Sequence, residues 1–199
     1  MTQLWGFLRG LDLGLFHRIN QVWTHPWLDS FFPWLTDLDR NAIAVWGALP
    51  VAVAWWVYAK RGRAVKVLLA VALAVGLCDA VAYRFIKPNV KRLRPADSGV
   101  SVTLRTRRAG TYGFPSNHAG NAFAAATVLG LAEPPVLWPA LAAAALVAYS
   151  RVYVGVHFPA DAAAGTLLGL LIGGLVGAGL LRFGGLAGAR RPGRSKKKG

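Results

Sequence analysis

Apolar and polar positions along this chain repeat on two scales. Over residues 4–23, Leu4, Leu8, Leu11, Leu15, Ile19 and Val22 recur at helical spacing, while Arg9, His17, Asn20 and Gln21 fall on the opposite face. This pattern predicts an amphipathic helix, too polar to span a bilayer and suited to lie along its surface. Trp5, Trp23, Trp27 and Trp34 add the aromatic content expected at a membrane interface. Five long apolar runs follow, at 42–59, 65–86, 118–132, 136–154 and 159–181. A crossing needs roughly 17 to 20 such residues; the third run is the shortest and carries the polar Asn121 and Thr127. The predicted architecture is an all-α, polytopic membrane helical bundle of about five transmembrane helices plus the N-terminal interfacial helix. It divides into an interfacial segment 1–41, a transmembrane domain 42–182 with an outer loop 87–117, and a basic, disordered tail 183–199. In the fifth run Gly165, Gly169, Gly173 and Gly177 form one smooth stripe, begun by Asp161. Close helix packing inside the bundle is its first reading, and a homo-oligomer contact the second.

Composition supports the membrane. The chain has 199 residues, of which 55% are hydrophobic and only 16% charged, and its mean hydropathy is +0.41. A formal charge of +15, from 23 Lys and Arg against 8 Asp and Glu, raises nucleic-acid binding as a reading. The interruption of the basic residues by long apolar runs excludes it and leaves membrane-flanking loops and an anion site. The single Cys78 rules out an internal disulfide, and the scattered acids suggest no metal cage.

Charge also predicts orientation. Lys60, Arg61, Arg63 and Lys66 separate the first two runs, and Arg190, Arg191, Arg194 and Lys196 to Lys198 follow the last. With five spans both clusters share the cytoplasmic side. The loop 87–117 and the turn 151–158 then face outward, with Lys87, Lys91, Arg92, Arg94, Arg105, Arg107 and Arg108 on the side where cations are not expected. A phosphate site accounts for them.

Three short patterns converge on that face. In Lys87-Pro-Asn-Val-Lys-Arg-Leu-Arg94-Pro95, Pro88 is expected to stop the preceding helix and Pro95 to hold Arg94 extended, while Lys and Arg offer a point charge and a planar fork for phosphate oxygens. In Pro115-Ser116-Asn117-His118, Ser116 reads as an N-cap, the helix start as an anion site, and His118 as a proton donor to a leaving oxygen. In Ser150-Arg151-x5-His157-x3-Asp161, Pro159 starts a helix, so that a carboxylate one turn inside can fix the His157 tautomer and leave its other nitrogen free to attack phosphorus. Among the remaining polar residues, Asp79 lies within the second run and reads as structural, with Arg84 as candidate partner, and His17 and His25 read as interfacial.

In this order, Lys-x6-Arg-Pro, Pro-Ser-x-His and Ser-Arg-x5-His-x3-Asp resemble the three motifs of the phosphatidic acid phosphatase type 2 family. The resemblance covers Lys87 to Asp161. It implies a membrane lipid phosphatase without cofactor or metal. Lys87, Arg94 and Arg151 would bind phosphate oxygens, with hydrogen bonds added by Ser116 and the Asn117 backbone. His157 would become a phosphohistidine, His118 would protonate the leaving group and then activate water, and Asp161 would orient His157. Asn117 departs from the family's usual Gly, a position where tolerance of a left-handed backbone matters.

The implied partners are a lipid phosphate substrate and membrane lipids, with no nucleic acid. The implied location is the plasma (inner) membrane, multi-pass, with the site on the periplasmic or extracellular face and the C-terminus in the cytoplasm. Undecaprenyl diphosphate is the first substrate expectation, because Lys91, Arg92, Arg105, Arg107 and Arg108 exceed what one phosphate needs. Phosphatidate, phosphatidylglycerol phosphate and lipid A 1-phosphate are the alternatives. A vanadium haloperoxidase-like enzyme and a non-catalytic lipid-phosphate binder or transporter are the competing classes.

Overall fold

In the computed structural model, residues 2–37 and 49–184 are described. Residues 42–48 of the first apolar run and the cations Arg190 to Lys198 of the tail lie outside them. Helix α1 (Thr2–His17) runs into a π-turn (Arg18–Val22) and is followed by α2 (Pro26–Thr36), α3 (Leu49–Lys60) and α4 (Gly62–Ala80). A second π-turn (Val81–Ile86) carries α4 into the short α5 (Lys87–Val90). After the loop come α6 (Asn117–Ala132), α7 (Leu137–Tyr153) and α8 (Pro159–Phe183). The described residues are helical with no strand beyond an isolated bridge between Leu93 and Tyr112.

Three helical stretches are long and apolar enough to cross a membrane: Gly62–Val90, Pro134–Tyr153 and Pro159–Phe183. They correspond to the second, fourth and fifth runs. The third run folds as α6, a helix of 16 residues, too short to meet the length of a crossing on its own. Its place in the bundle explains the composition. α6 packs against α4, α7 and α8, and Ala119, Gly120, Ala124, Val128 and Ala132 are buried along it. A helix enclosed by others needs small side chains more than a continuous apolar surface. Helices α4 and α8 carry the lipid-type surface instead, with Leu69, Leu73, Leu77, Leu167, Leu171 and Leu175 exposed.

The glycine stripe of α8 lies against α6. A Cβ on Gly165 would collide with the Ser116 carbonyl, one on Gly169 with the Gly120 carbonyl, and one on Gly173 would approach the Ala124 carbonyl to 2.7 Å. The stripe is therefore taken up inside the bundle, and an oligomer contact through it would have to displace α6. Cys78 is buried beside this seam.

Two local expectations change. The helix does not stop at Pro88: the wider π-turn over Val81–Ile86 precedes it, Lys87 N–H reaches the Ala82 carbonyl, and the helix ends at Lys91 with φ +50°. A π-turn rearranges the backbone bonds where a proline removes one. In the N-terminal segment, Leu4, Leu8, Leu11, Leu15 and Val22 are exposed, but Ile19 and the polar Asn20 are buried. Asn20 donates to the Thr103 and Tyr153 carbonyls at 2.9 and 2.8 Å and accepts from Thr103 N–H at 2.8 Å. It fastens the loop between α5 and α6 to the end of α7. Phe16, Ile19, Phe32, Tyr153, Val154, Val156 and Phe158 form an apolar cluster around that fastening.

The close approach of α8 to α6 should be sensitive to size. Gly169→Val should lower the thermal unfolding midpoint in detergent, a loss of about 1–3 kcal/mol for overpacking. Gly174, where an added Cβ meets nothing within 4 Å, should accept Ala without a shift.

Candidate active site

The turn between α7 and α8 presents His157. Its backbone needs Gly155 at φ +85°, where a Cβ would also press to 2.8 Å on the Thr103 carbonyl. His157 is 1% exposed. Arg94 Nη1 lies 2.9 Å from His157 Nε2 and donates also to the Val156 carbonyl at 2.8 Å. A guanidinium only donates, so Nε2 accepts and the imidazole proton is assigned to Nδ1. Nδ1 faces Asp161 Oδ2 at 3.5 Å, longer than a hydrogen bond. Burial first, then the charges of Arg94, Arg151, Lys87 and His118, hold the His157 imidazole well below its ordinary pKa.

Asp161 has no exposed surface. Its carboxylate accepts from Phe158 N–H at 3.0 Å on Oδ2 and from Arg92 Nη1 at 2.8 Å on Oδ1. Arg92 also reaches Asp12 of α1, and its guanidinium sits 4.5 Å from the centre of the Phe158 ring. Neither contact was legible in sequence: Asp12 was not a candidate, and Arg92 figured only as surplus charge.

The three phosphate-binding candidates occupy different supports. Lys87, buried at the end of the α4 stretch, donates to the Pro115 carbonyl at 3.0 Å. Arg94 is extended before Pro95, as expected, with φ −74° and ψ 162°. Arg151, buried at the end of α7, donates to Thr36 Oγ1 at 2.5 Å. Thr36 closes α2 and had no sequence signal.

At the start of α6, Ser116 holds the N-cap position but its side chain caps nothing, and its buried hydroxyl has no partner in this structure. Its N–H donates to the Asp161 carbonyl oxygen at 2.9 Å. Asn117 is the first helical residue and needs no left-handed backbone. Its Nδ2 donates to Asp79 at 2.5 Å, and Asn121 Nδ2 does so at 3.1 Å. Asp79 thus takes these two amides, partners that the sequence reading did not name. His25 caps α2 by accepting Trp27 N–H at 3.2 Å.

A cavity of about 590 Å³ joins these groups: Lys87, Arg94, His118, Arg151 and His157 line it, with Asp79, Asn117, Arg84, Arg107 and Arg108. All eight site residues expected from sequence therefore gather at one end of the bundle, with Asp161 behind His157 and Ser116 beside it. Three of the supposedly surplus cations, Lys91, Arg92 and Arg105, do not line the cavity. Arg92 is bound to Asp161 and Asp12, and Arg105 to Asp29 at 2.7 Å and the Asn20 carbonyl at 2.7 Å. Asp29, which also accepts from Tyr153 Oη at 2.6 Å, is held below its usual pKa chiefly by that bond. Arg108, though at the cavity wall, pairs with Asp97. Among the described residues, no three of His, Cys, Asp and Glu converge as metal ligands.

Known proteins resemble this chain in sequence and in fold. The family model described as the PAP2 superfamily matches residues 63–181. The chain is 31% identical over 178 residues to a lipid A 4'-phosphatase of Porphyromonas gingivalis, covering 85% of this chain and 73% of that protein. It is 31% identical over 163 residues to an undecaprenyl-diphosphatase of Sulfolobus acidocaldarius, covering 80% and 74%. The crystal structure of Aquifex aeolicus LpxE superposes with a TM-score of 0.65 at 29% identity, over 83% of this chain and 94% of that one.

The environment of His157 makes a measurable demand. A lowered pKa means that the proton is taken up only as pH falls well below 6.5. In the unliganded protein, the ring-nitrogen NMR signals of His157 should stay those of a neutral imidazole down through the pH where an exposed His is half charged. Titration near 6.5 would contradict the geometry. Adding vanadate should move the midpoint upward, because an anion beside the ring favours its charged form.

Proposed function

The chain belongs to the PAP2 superfamily and is a membrane lipid phosphatase, a phosphoric ester hydrolase, and we propose that it works through a phosphohistidine on His157. The observation that carries this reading is the placement of His157 Nε2 at a cation-lined cavity with Nδ1 turned toward a buried carboxylate.

On this reading the substrate phosphate takes the oxygens' share of Arg94, Lys87 and Arg151. Arg94 then moves its hydrogen bond from Nε2 to phosphate, and the freed lone pair attacks phosphorus. The P–O bond to the leaving group breaks as the P–N bond forms. His118 gives its proton to the departing oxygen, and Asp161 balances the positive charge developing on the His157 ring. In the second half His118 takes a proton from water, the resulting hydroxide attacks phosphorus, and the P–N bond breaks to release inorganic phosphate. The Ser116 hydroxyl, buried without a partner, and the N–H groups starting α6 supply donors to the equatorial oxygens. The cations carry the charge neutralisation that a metal supplies elsewhere.

For substrate we favour a polyprenyl diphosphate, undecaprenyl diphosphate first, attacked at its terminal phosphorus with lipid phosphate leaving. Arg84, Arg107 and Arg108 line the same cavity as His157, where a retained second phosphate would lie. One observation favours a second reading. Asp79, held by Asn117 and Asn121, puts a carboxylate into that cavity, and a carboxylate repels a second phosphate while accepting from hydroxyls. A lipid monophosphate with a hydroxyl-bearing headgroup fits this better, and the Porphyromonas gingivalis relative acts by name on lipid A.

We further read the bundle as crossing about five times, with α3 and the enclosed α6 completing the three long stretches. The exposed leucines of α1 would lie in the interface, the site on the outer face of the plasma membrane, and the C-terminus in the cytoplasm.

His157→Ala should abolish phosphate release and His118→Ala nearly so, with Asp161→Asn less damaging because it removes orientation and not a reactant. Labelled phosphate should be trapped on His157 after a quench that avoids acid, and turnover should persist in chelator. Turnover by His157→Ala would end the covalent scheme.

Substrate choice is separable. Comparing kcat/KM on chain-matched mono- and diphosphate lipids, the diphosphate should be preferred, and Arg107→Ala with Arg108→Ala should weaken the diphosphate more. Preference for the monoester, or equal loss on both, would turn the assignment to the second reading.

A further inference from the structure

The geometry points to Arg92 as a positioning residue for the catalytic carboxylate: held by Asp12 of α1, it clamps Asp161 so that Oδ2 stays turned to His157 Nδ1. This rests on the reading of Asp161 as the partner of His157.

The clamp has four contacts. Arg92 Nη1 donates to Asp161 Oδ1 at 2.8 Å, and Nη2 pairs with the Asp12 carboxylate. The guanidinium plane is backed by the Phe158 ring, 4.5 Å from its centre. Asp12 closes the circuit by accepting Ala160 N–H, in the first turn of α8, at 2.8 Å on Oδ1. A carboxylate has two oxygens and a free torsion. Arg92 takes one oxygen of Asp161 and Phe158 N–H takes the other, which fixes that torsion. Without Arg92, the groups left facing Asp161's side chain among the described residues would be the Phe158 N–H and an imidazole 3.5 Å away, beyond hydrogen-bond length. The carboxylate, with no exposed surface, would then be a buried charge without its ionic partner, which is costly unless it turns or takes a proton. Either change removes the acceptor that His157 needs when its ring becomes positive.

The second half of the clamp lies on a different element. Asp12 stands on α1, whose Leu8, Leu11 and Leu15 are exposed. Seating of that helix therefore sets the position of Asp12, and through Arg92 that of the carboxylate. Arg92 does not line the cavity that holds Lys87, Arg94 and Arg151, so it acts through Asp161 and not on substrate.

The test is steady-state kinetics on the full chain in detergent with one lipid phosphate, beside vanadate inhibition, phosphohistidine burst and thermal midpoint. Arg92→Gln should lower kcat on the order of 10²-fold, the cost of a misplaced catalytic group, with KM and vanadate inhibition unchanged. Arg92→Lys, which keeps one charged donor, should recover part of the rate. Arg92→Gln combined with Asp161→Asn should be no slower than Asp161→Asn alone. Asp12→Asn is the gentler variant if Arg92→Gln fails to fold, and it should reduce kcat less while also sparing KM. A wild-type kcat in Arg92→Gln or Asp12→Asn beside a slow Asp161→Asn would overturn the clamp, as would losses that multiply in the double variant. A lowered thermal midpoint with unchanged kcat would make the bridge structural only. Wild-type turnover by Asp161→Asn would instead overturn the reading of the carboxylate itself, and the clamp with it.

Discussion

The backbone contact between α8 and α6 is the constraint on which the site depends. Because Gly165 carries no side chain, α8 can lie on the Ser116 carbonyl, and Ser116 N–H then reaches the Asp161 carbonyl oxygen at 2.9 Å. That bond joins the start of α6 to the first turn of α8. The start of α6 and the histidine turn are thereby fixed against each other at one end of the bundle. In a lipid surround, where apolar burial gives helices little reason to associate, close packing of small residues supplies the attraction.

Around this joint Lys87 and Arg94 donate to neutral acceptors, while three of the acids are paired with other cations. Lys87 donates to the Pro115 carbonyl, Arg94 to the Val156 carbonyl and His157, and Arg151 to Thr36. Asp161 is matched by Arg92, Asp29 by Arg105 and Asp97 by Arg108. Charge-assisted bonds to an anion are stronger than bonds to a neutral carbonyl. On the proposed reading, a phosphate arriving at Lys87 and Arg94 exchanges the weaker kind for the stronger.

The sequence reading succeeded where one residue's chemistry sufficed. Gly at every fourth position specified a face by local spacing, and the Lys, Arg and His of the three motifs were marked together through the family resemblance. It failed where a contact joins distant segments. Asn20 looked like the polar side of a surface helix, yet it is buried as the fastener of residues 103 and 153. Arg92 and Arg105 looked like spare charge because their acids lie 80 and 76 positions away. α6 looked like a weak span because enclosure by neighbours, which a hydropathy run does not encode, replaces apolar length. Asn117 stood out as a departure from the family's usual Gly, but nothing local told that its side chain turns to Asp79.

The far end of α6 completes the electrostatics of the near end. At its C-terminus Arg63 donates to the Ala132 carbonyl at 2.6 Å and to Glu133 at 2.9 Å. A cation there satisfies an orphan carbonyl and neutralises the negative end of the helix dipole. Opposite, Asn117 and His118 at the N-terminus line the cavity with Lys87, Arg94 and Arg151. The buried helix is thus capped by a cation at the end away from the cavity, while the Asp79 carboxylate sits beside its start. What appeared in sequence as a weak membrane crossing is, in the folded bundle, the element whose first residues form part of the wall of the cationic cavity.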